Sequence, residues 1–135
     1  MADISVTATS VVPYANEQTA VGVAGETITA GQVVYLNSTT GKLMKADADT
    51  AAESVCKGIA LNGGALNQPI KYQYGGEITI GATVAVGTVY VVSATAGGIA
   101  PLADLTSGDY VSILGVASTA ARIKLNIFNS GIAVA

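Results

Sequence analysis

The strongest constraint in this chain is that it repeats itself. The run TAGQVVYLNSTTGKLMKAD, from Thr29 to Asp47, has a close cousin in AVGTVYVVSATAGGIAPLAD, from Ala85 to Asp104. A shift of 56 residues carries Thr27 onto Thr83, Gly31 onto Gly87, Val33 onto Val89 and Gly41 onto Gly97. The same shift carries Thr50 onto Thr106, Glu53 onto Asp109 and Val55 onto Val111. The register then slips by one, so that Gly58-Ile59-Ala60 meets Gly115-Val116-Ala117, and it shortens again before Ile70-Lys71 meets Ile123-Lys124. Slips of this kind are what turns tolerate.

Within each copy the pattern is that of strands. IKYQY sets Ile70, Tyr72 and Tyr74 against Lys71 and Gln73, and RIKLNIF sets Ile123, Leu125 and Ile127 against Arg122, Lys124 and Asn126. Period-two alternation marks half-buried strands, and ISVTAT, from Ile4 to Thr9, carries the same signal. QVVYL and TVYVVS are apolar on both faces, as in a strand covered from both sides. Their β-branched residues favour the pleated conformation. Glycines and Asn/Ser/Thr clusters break these runs at short intervals, the mark of an all-β sandwich or barrel.

The fold expected is therefore a compact β-barrel or sandwich made of two related β-units, about 25–78 and 79–135, in a single domain. Neither unit would be stable alone at about 50 residues. Two units are too few for a solenoid. Thr50-x-x-Glu53 and Thr106-x-x-Asp109 have capping-box spacing, so each link is expected to hold a helical turn. Residues 1–24 lie outside the repeat and read as an extended arm or edge strand, broken at Pro13, whose removal up to residue 14 should leave a folded core. The tail NSGIAVA carries no charge and is expected to pack rather than hang in water.

Composition limits what such a barrel can do. Half of the 135 residues are hydrophobic and only 11% are charged, against about 25% in ordinary chains. A surface so poor in charge is expected to be covered by copies of itself or by another protein. The net charge is −3 and the six basic residues are dispersed, so direct nucleic-acid binding is not expected. The N-terminus lacks the pattern of a signal peptide. The longest apolar runs of the chain, such as VVYL and VYVV, fall far short of the ~18 residues of a membrane helix.

Chemistry is scarce. The chain has no histidine, which removes the Ser-His-Asp arrangement and most zinc sites. Cys56 is the single cysteine and reads as a small buried apolar side chain. Gly63-Gly64 and Gly75-Gly76 read as turns rather than as a phosphate cradle. Asp47, Asp49 and Glu53 are the best remaining metal candidates, but the calcium-loop pattern is not met, and a solvated link with a helix cap is the preferred reading. Glu26 and Glu77 would form an acid pair only if the fold joined them. No catalytic, cofactor-binding or metal-binding residue is assigned. Tyr35 and Tyr90 occupy near-equivalent points of the two repeats and read as core, whereas Tyr72 and Tyr74 share a face and suit core or interface.

The stretch AGETITAGQVVYLNSTTGKLMKADAD, followed by VCKGIALNGG, SGDYVSILGVA and the NSGIAVA ending, resembles the capsid cement, or head decoration, proteins of tailed bacteriophages. The resemblance runs from about Val23 to the end. It implies a small β-rich protein without enzymatic activity or cofactor, made in the host cytoplasm and placed on the outer capsid surface of the virion. There it would act as a homotrimer that bridges major capsid subunits against the pressure of packaged DNA. On this reading Ile4, Val6, Val11, Val12, Tyr14, Tyr72 and Tyr74 are expected to contact the shell or a neighbouring copy. The alternative is a carbohydrate- or ligand-binding β-module of a phage or bacterial surface structure, against which the absence of Trp counts.

Overall fold

The computed structural model describes residues 3–135. The chain is nearly all β. Its strands are β1 (Val12–Val23), β2 (Val33–Leu36), β3 (Leu43–Lys45), β4 (Cys56–Ala60), β5 (Pro69–Thr79), β6 (Val89–Val92), β7 (Ile99–Pro101), β8 (Tyr110–Ala117) and β9 (Arg122–Ala133), with one short helix, α1 (Ala51–Ser54), before β4. All ladders are antiparallel and follow the order β3-β2-β4-β5-β9-β8-β6-β7, with β1 joined to β5 off that path.

Matched by the repeat, the order is a palindrome: β3, β2, β4 and β5 of the first unit face β9, β8, β6 and β7 of the second across the β5–β9 ladder. The match extends to an irregularity. Between β2 and β4 the register slips after Val34↔Gly58, so that Tyr35 meets Cys56. Between β6 and β8 it slips after Tyr90↔Gly115, so that Val91 meets Ile113. Both copies thus carry the same bulge, which adds local twist and helps the sheet to curl. A glycine stands beside each bulge because the next strand passes too close for a side chain. A Cβ on Gly58 would strike the carbonyl oxygen of Gln73, and one on Gly115 that of Lys124.

The curled sheet forms a half-barrel, and backbone bonds tie its two ends. Gly97 N–H donates to Ala46 O at 2.7 Å, Val33 N–H to Gly97 O at 3.0 Å, Ala48 N–H to Ser93 O at 3.0 Å and Tyr110 N–H to Ala48 O at 2.8 Å. The main core draws on both units, with Val33, Cys56, Ile59 and Ile78 packed among Val92, Ile99, Leu114 and Ile123. A second cluster, of Ala24, Ile28, Val34, Leu43, Ala60 and Ile70, lies within the first unit. The two clusters explain why Val33 and Val34 are both buried, as their doubly apolar run implied.

The N-terminal region departs from expectation. ISVTAT is not a strand; it is an extended crossing that ends in a 3-10 turn over Ala8–Ser10. Ile4 N–H donates to Ile99 O at 3.0 Å, Thr7 N–H to Gly81 O at 2.8 Å, and Ser93 Oγ to Asp3 Oδ1 at 2.7 Å. Its period-two pattern therefore records alternate side chains packed between the two units, with Val6 against Gly31 of the first, rather than a ladder. The strand begins later, at Val12, and runs along the whole of β5, with register slips around Ala15 and Gln18. At the slips β1 presses onto β5 so closely that a Cβ on Gly76 would strike the backbone of Asn16, itself held at φ 53°.

Thr50 caps α1 as its spacing implied, its Oγ1 accepting from Glu53 N–H at 3.3 Å. The second copy of that motif makes a turn instead. Asp109 Oδ2 accepts from Thr106 N–H at 2.9 Å and Thr106 Oγ1 at 3.2 Å, a pattern that satisfies the same groups without a helix. The tail is held as expected, with Val134 N–H donating to Asp109 O at 2.8 Å and Gly108 N–H donating to Val134 O at 2.9 Å.

Candidate interaction surface

The seven residues expected at a contact surface fall into two sets. Val11 is only 5% exposed and belongs to the main core, and Ile4 and Val6 pack against that core. These three side chains are engaged within the chain, so removing residues 2–14 would strip packing from the body itself, contrary to the expectation of an intact core. Val12, Tyr14 and Tyr74 are exposed, and Tyr72 is half-buried against the second cluster. The Tyr14 ring lies under the Arg122 guanidinium, whose central carbon is 3.3 Å from the ring centroid. This cation–π contact fixes the ring while one side stays in solvent.

Tyr72 and Tyr74 stand with ring centroids 6.5 Å apart, tilted by 54°. They line a groove of about 620 Å³ together with Asn16, Gln18, Lys57 and Asn126. Lys124 and Glu77 complete its charged rim. Under the groove, Gln73 is fully buried, and its Nε2 donates to Gly75 O at 2.9 Å and Glu77 O at 3.0 Å. That amide holds the glycine pair in place where β1 presses on β5.

Cys56 is buried at 2% exposure, and burial pushes its thiol up to about 12. Its backbone is clamped by Asn129: Asn129 Oδ1 accepts from Cys56 N–H at 3.1 Å, and Asn129 Nδ2 donates to Cys56 O at 3.1 Å. The amide of Asn129 thus takes the place of a neighbouring strand at the start of β4, and the thiol is an inert core group as expected.

The acidic candidates are separated. Glu26 accepts from Lys45 N–H at 2.9 Å and pairs with its ammonium at 3.9 Å, whereas Glu77 accepts from Ser118 Oγ at 2.9 Å. Asp47 Oδ1 accepts from Asp49 N–H at 3.0 Å. Burial raises the Asp47 carboxyl above its ordinary value; the hydrogen bond from Asp49 N–H opposes that rise, while the charges of Asp49 and Asp109 add to it. Among the described residues, no three His, Cys, Asp or Glu side chains converge as a metal site would require.

Several exposed apolar residues were not singled out from the sequence. Val21 is 67% exposed, Phe128 61% and Ile132 68%, and Val23, Leu66 and Val86 are also exposed. Val21 and Val23 lie in the charge-free run TAVGV, and Phe128 and Ile132 in NIFNSGIAVA, but an uncharged run reads equally as a covered strand, so the sequence does not mark these side chains as exposed. No protein-family model matches the chain, and no curated protein matches it in sequence.

Proposed function

We propose that the chain is a structural cement protein that binds the outer surface of a phage head, bridging and stabilising its major capsid subunits, and that it does so as a homotrimer. The observation that carries this reading is the row of exposed apolar side chains along β1, namely Val12, Tyr14, Val21 and Val23, on a β body that has few charges. Monomeric proteins seldom leave apolar patches bare unless a partner covers them. The side chains capable of acid–base or metal chemistry are dispersed, which suits a role performed by contact alone. A protein that binds only the assembled shell stabilises it by mass action, and several weak contacts made at once add through effective concentration.

The test is to add the purified protein to expanded heads assembled without it. Saturable co-sedimentation, with a rise in the temperature at which the heads release DNA, is the expected result. Absence of binding at any concentration would refute the reading. A second reading, a carbohydrate-binding module, is favoured by one feature, the Tyr72–Tyr74 pair in a groove lined with amide side chains. Saccharide titrations followed by tyrosine fluorescence, repeated on Tyr74→Ala, discriminate the two.

A further inference from the structure

The groove beside Tyr74 lies where the two units part. β4 pairs with β5 at Tyr72 and Gln73, and β9 pairs with β5 from Gly75 onward. Tyr74 falls between these two ladders, and β1 skips it as well, its register passing from Gly75 to Gln73. The strands therefore open at this residue into a wedge, with Lys57 on the β4 wall and Asn126 on the β9 wall. The wedge is braced. Asn129 of β9 holds both main-chain groups of Cys56 at the start of β4, and the Gln73 amide holds the floor at Gly75 O and Glu77 O. Ligand sites favour junctions of this kind, and a volume of about 620 Å³ falls within the ~300–1,000 Å³ of small-molecule sites.

The groove reverses the charge balance of the chain. The sequence holds nine acidic and six basic residues, yet two lysines and only one acid line the groove. Most other cations are engaged elsewhere: Lys42 donates to Asn67 Oδ1, Lys45 pairs with Glu26, and Arg122 lies over Tyr14. Among the described residues, no ion pair or side-chain hydrogen bond holds Lys57 or Lys124. Glu77 stands opposite Lys124 on the ladder, but its carboxylate accepts from Ser118 Oγ. We propose that the groove binds a short acidic saccharide, a chain of sugar rings that carry carboxylates. This deepens the saccharide reading given above and rests on it. Asn16, Gln18 and Asn126 bring amides that donate and accept at once, which suits neighbouring hydroxyls. The tilted rings of Tyr72 and Tyr74 give apolar faces to the C–H side of a sugar and hydroxyl tips to its edge. Lys57 and Lys124 supply charge-assisted donors for the carboxylates. A peptide strand fits less well, because Asn129 already engages the main chain of Cys56 and leaves no ladder edge there.

Trigalacturonic acid and its neutral methyl ester share a backbone and differ in charge, which makes them the probes. Titrated into the full-length protein and followed by tyrosine fluorescence, the acid should bind saturably and the ester about fivefold more weakly or worse. Lys57→Gln and Lys124→Gln should each remove most of that preference. Tyr74→Ala should abolish binding of both probes, and Lys42→Gln, which removes the same charge elsewhere, should alter nothing. Unchanged urea midpoints in these variants separate lost contacts from lost folding. Equal binding of acid and ester overturns the acidic assignment and leaves the saccharide reading standing. Absence of binding by both probes overturns the two together. Tighter binding of a polyglutamate peptide than of the acid makes the groove a peptide site and also overturns the proposal. Head co-sedimentation is scored separately and bears on the cement reading alone.

Discussion

At the scale of single residues, two positions carry consequences that can be measured. Gly115 is glycine because β9 leaves no room beside the bulge, and the obstacle is backbone rather than a movable side chain. Gly115→Ala should cost about 1–3 kcal/mol or more, read as a lower urea midpoint. At Cys56 the thiol is held at about 12, whereas in the unfolded chain it ionises near the ordinary ~8.5. Below the unfolded value both states hold the proton and stability is unaffected. Above it the unfolded chain loses the proton first, so stability falls as pH rises toward 12, at up to about 1.4 kcal/mol per pH unit. Denaturation between pH 8 and 11 should show a steeper loss for the parent than for Cys56→Ala, after correction for the latter's lower starting stability. A native thiol that reacts rapidly with a disulfide reagent at pH 8 would contradict this placement.

Among the elements, the N-terminal crossing is the most informative. It ties Asp3, Ile4 and Thr7 to the second unit and brings Val11 into the core before β1 turns to lie on β5 of the first. Truncation before Val12 should therefore lower stability by about 3 kcal/mol or more, since burial of one Val or Ile side chain alone is worth about 1.5–3 kcal/mol. Equilibrium unfolding of the shortened chain checks it. Here the sequence misled. Alternation in ISVTAT predicts a ladder, yet a segment that crosses the body without pairing also buries every second side chain. The repeated strands were legible because period, glycine placement and β-branched content agreed. The exposed valines of β1 were not, because exposure depends on which edge of a sheet remains vacant, and residue type alone does not encode that.

On the scale of the whole molecule, the two units share one core. Val33, Ile59 and Ile78 from the first unit share a core with Val92, Leu114 and Ile123 from the second. Chains covering 25–78 or 79–135 should each lack a cooperative thermal transition, and mixing them should restore one only in part; circular dichroism melts decide this. Cooperative melting of either half alone would mean that the shared core is dispensable.

The bonds that tie Val33, Ala46 and Ala48 to Gly97, Ser93 and Tyr110 also set a timetable. A ribosome delivers the early partners first, and the late ones follow seconds afterwards at about 5–20 residues per second. During that interval Val33 and Ile59 of the nascent first half lack the second-unit side chains that bury them and are open to capture by other chains. Completion of the main core is thus deferred until the second unit has emerged.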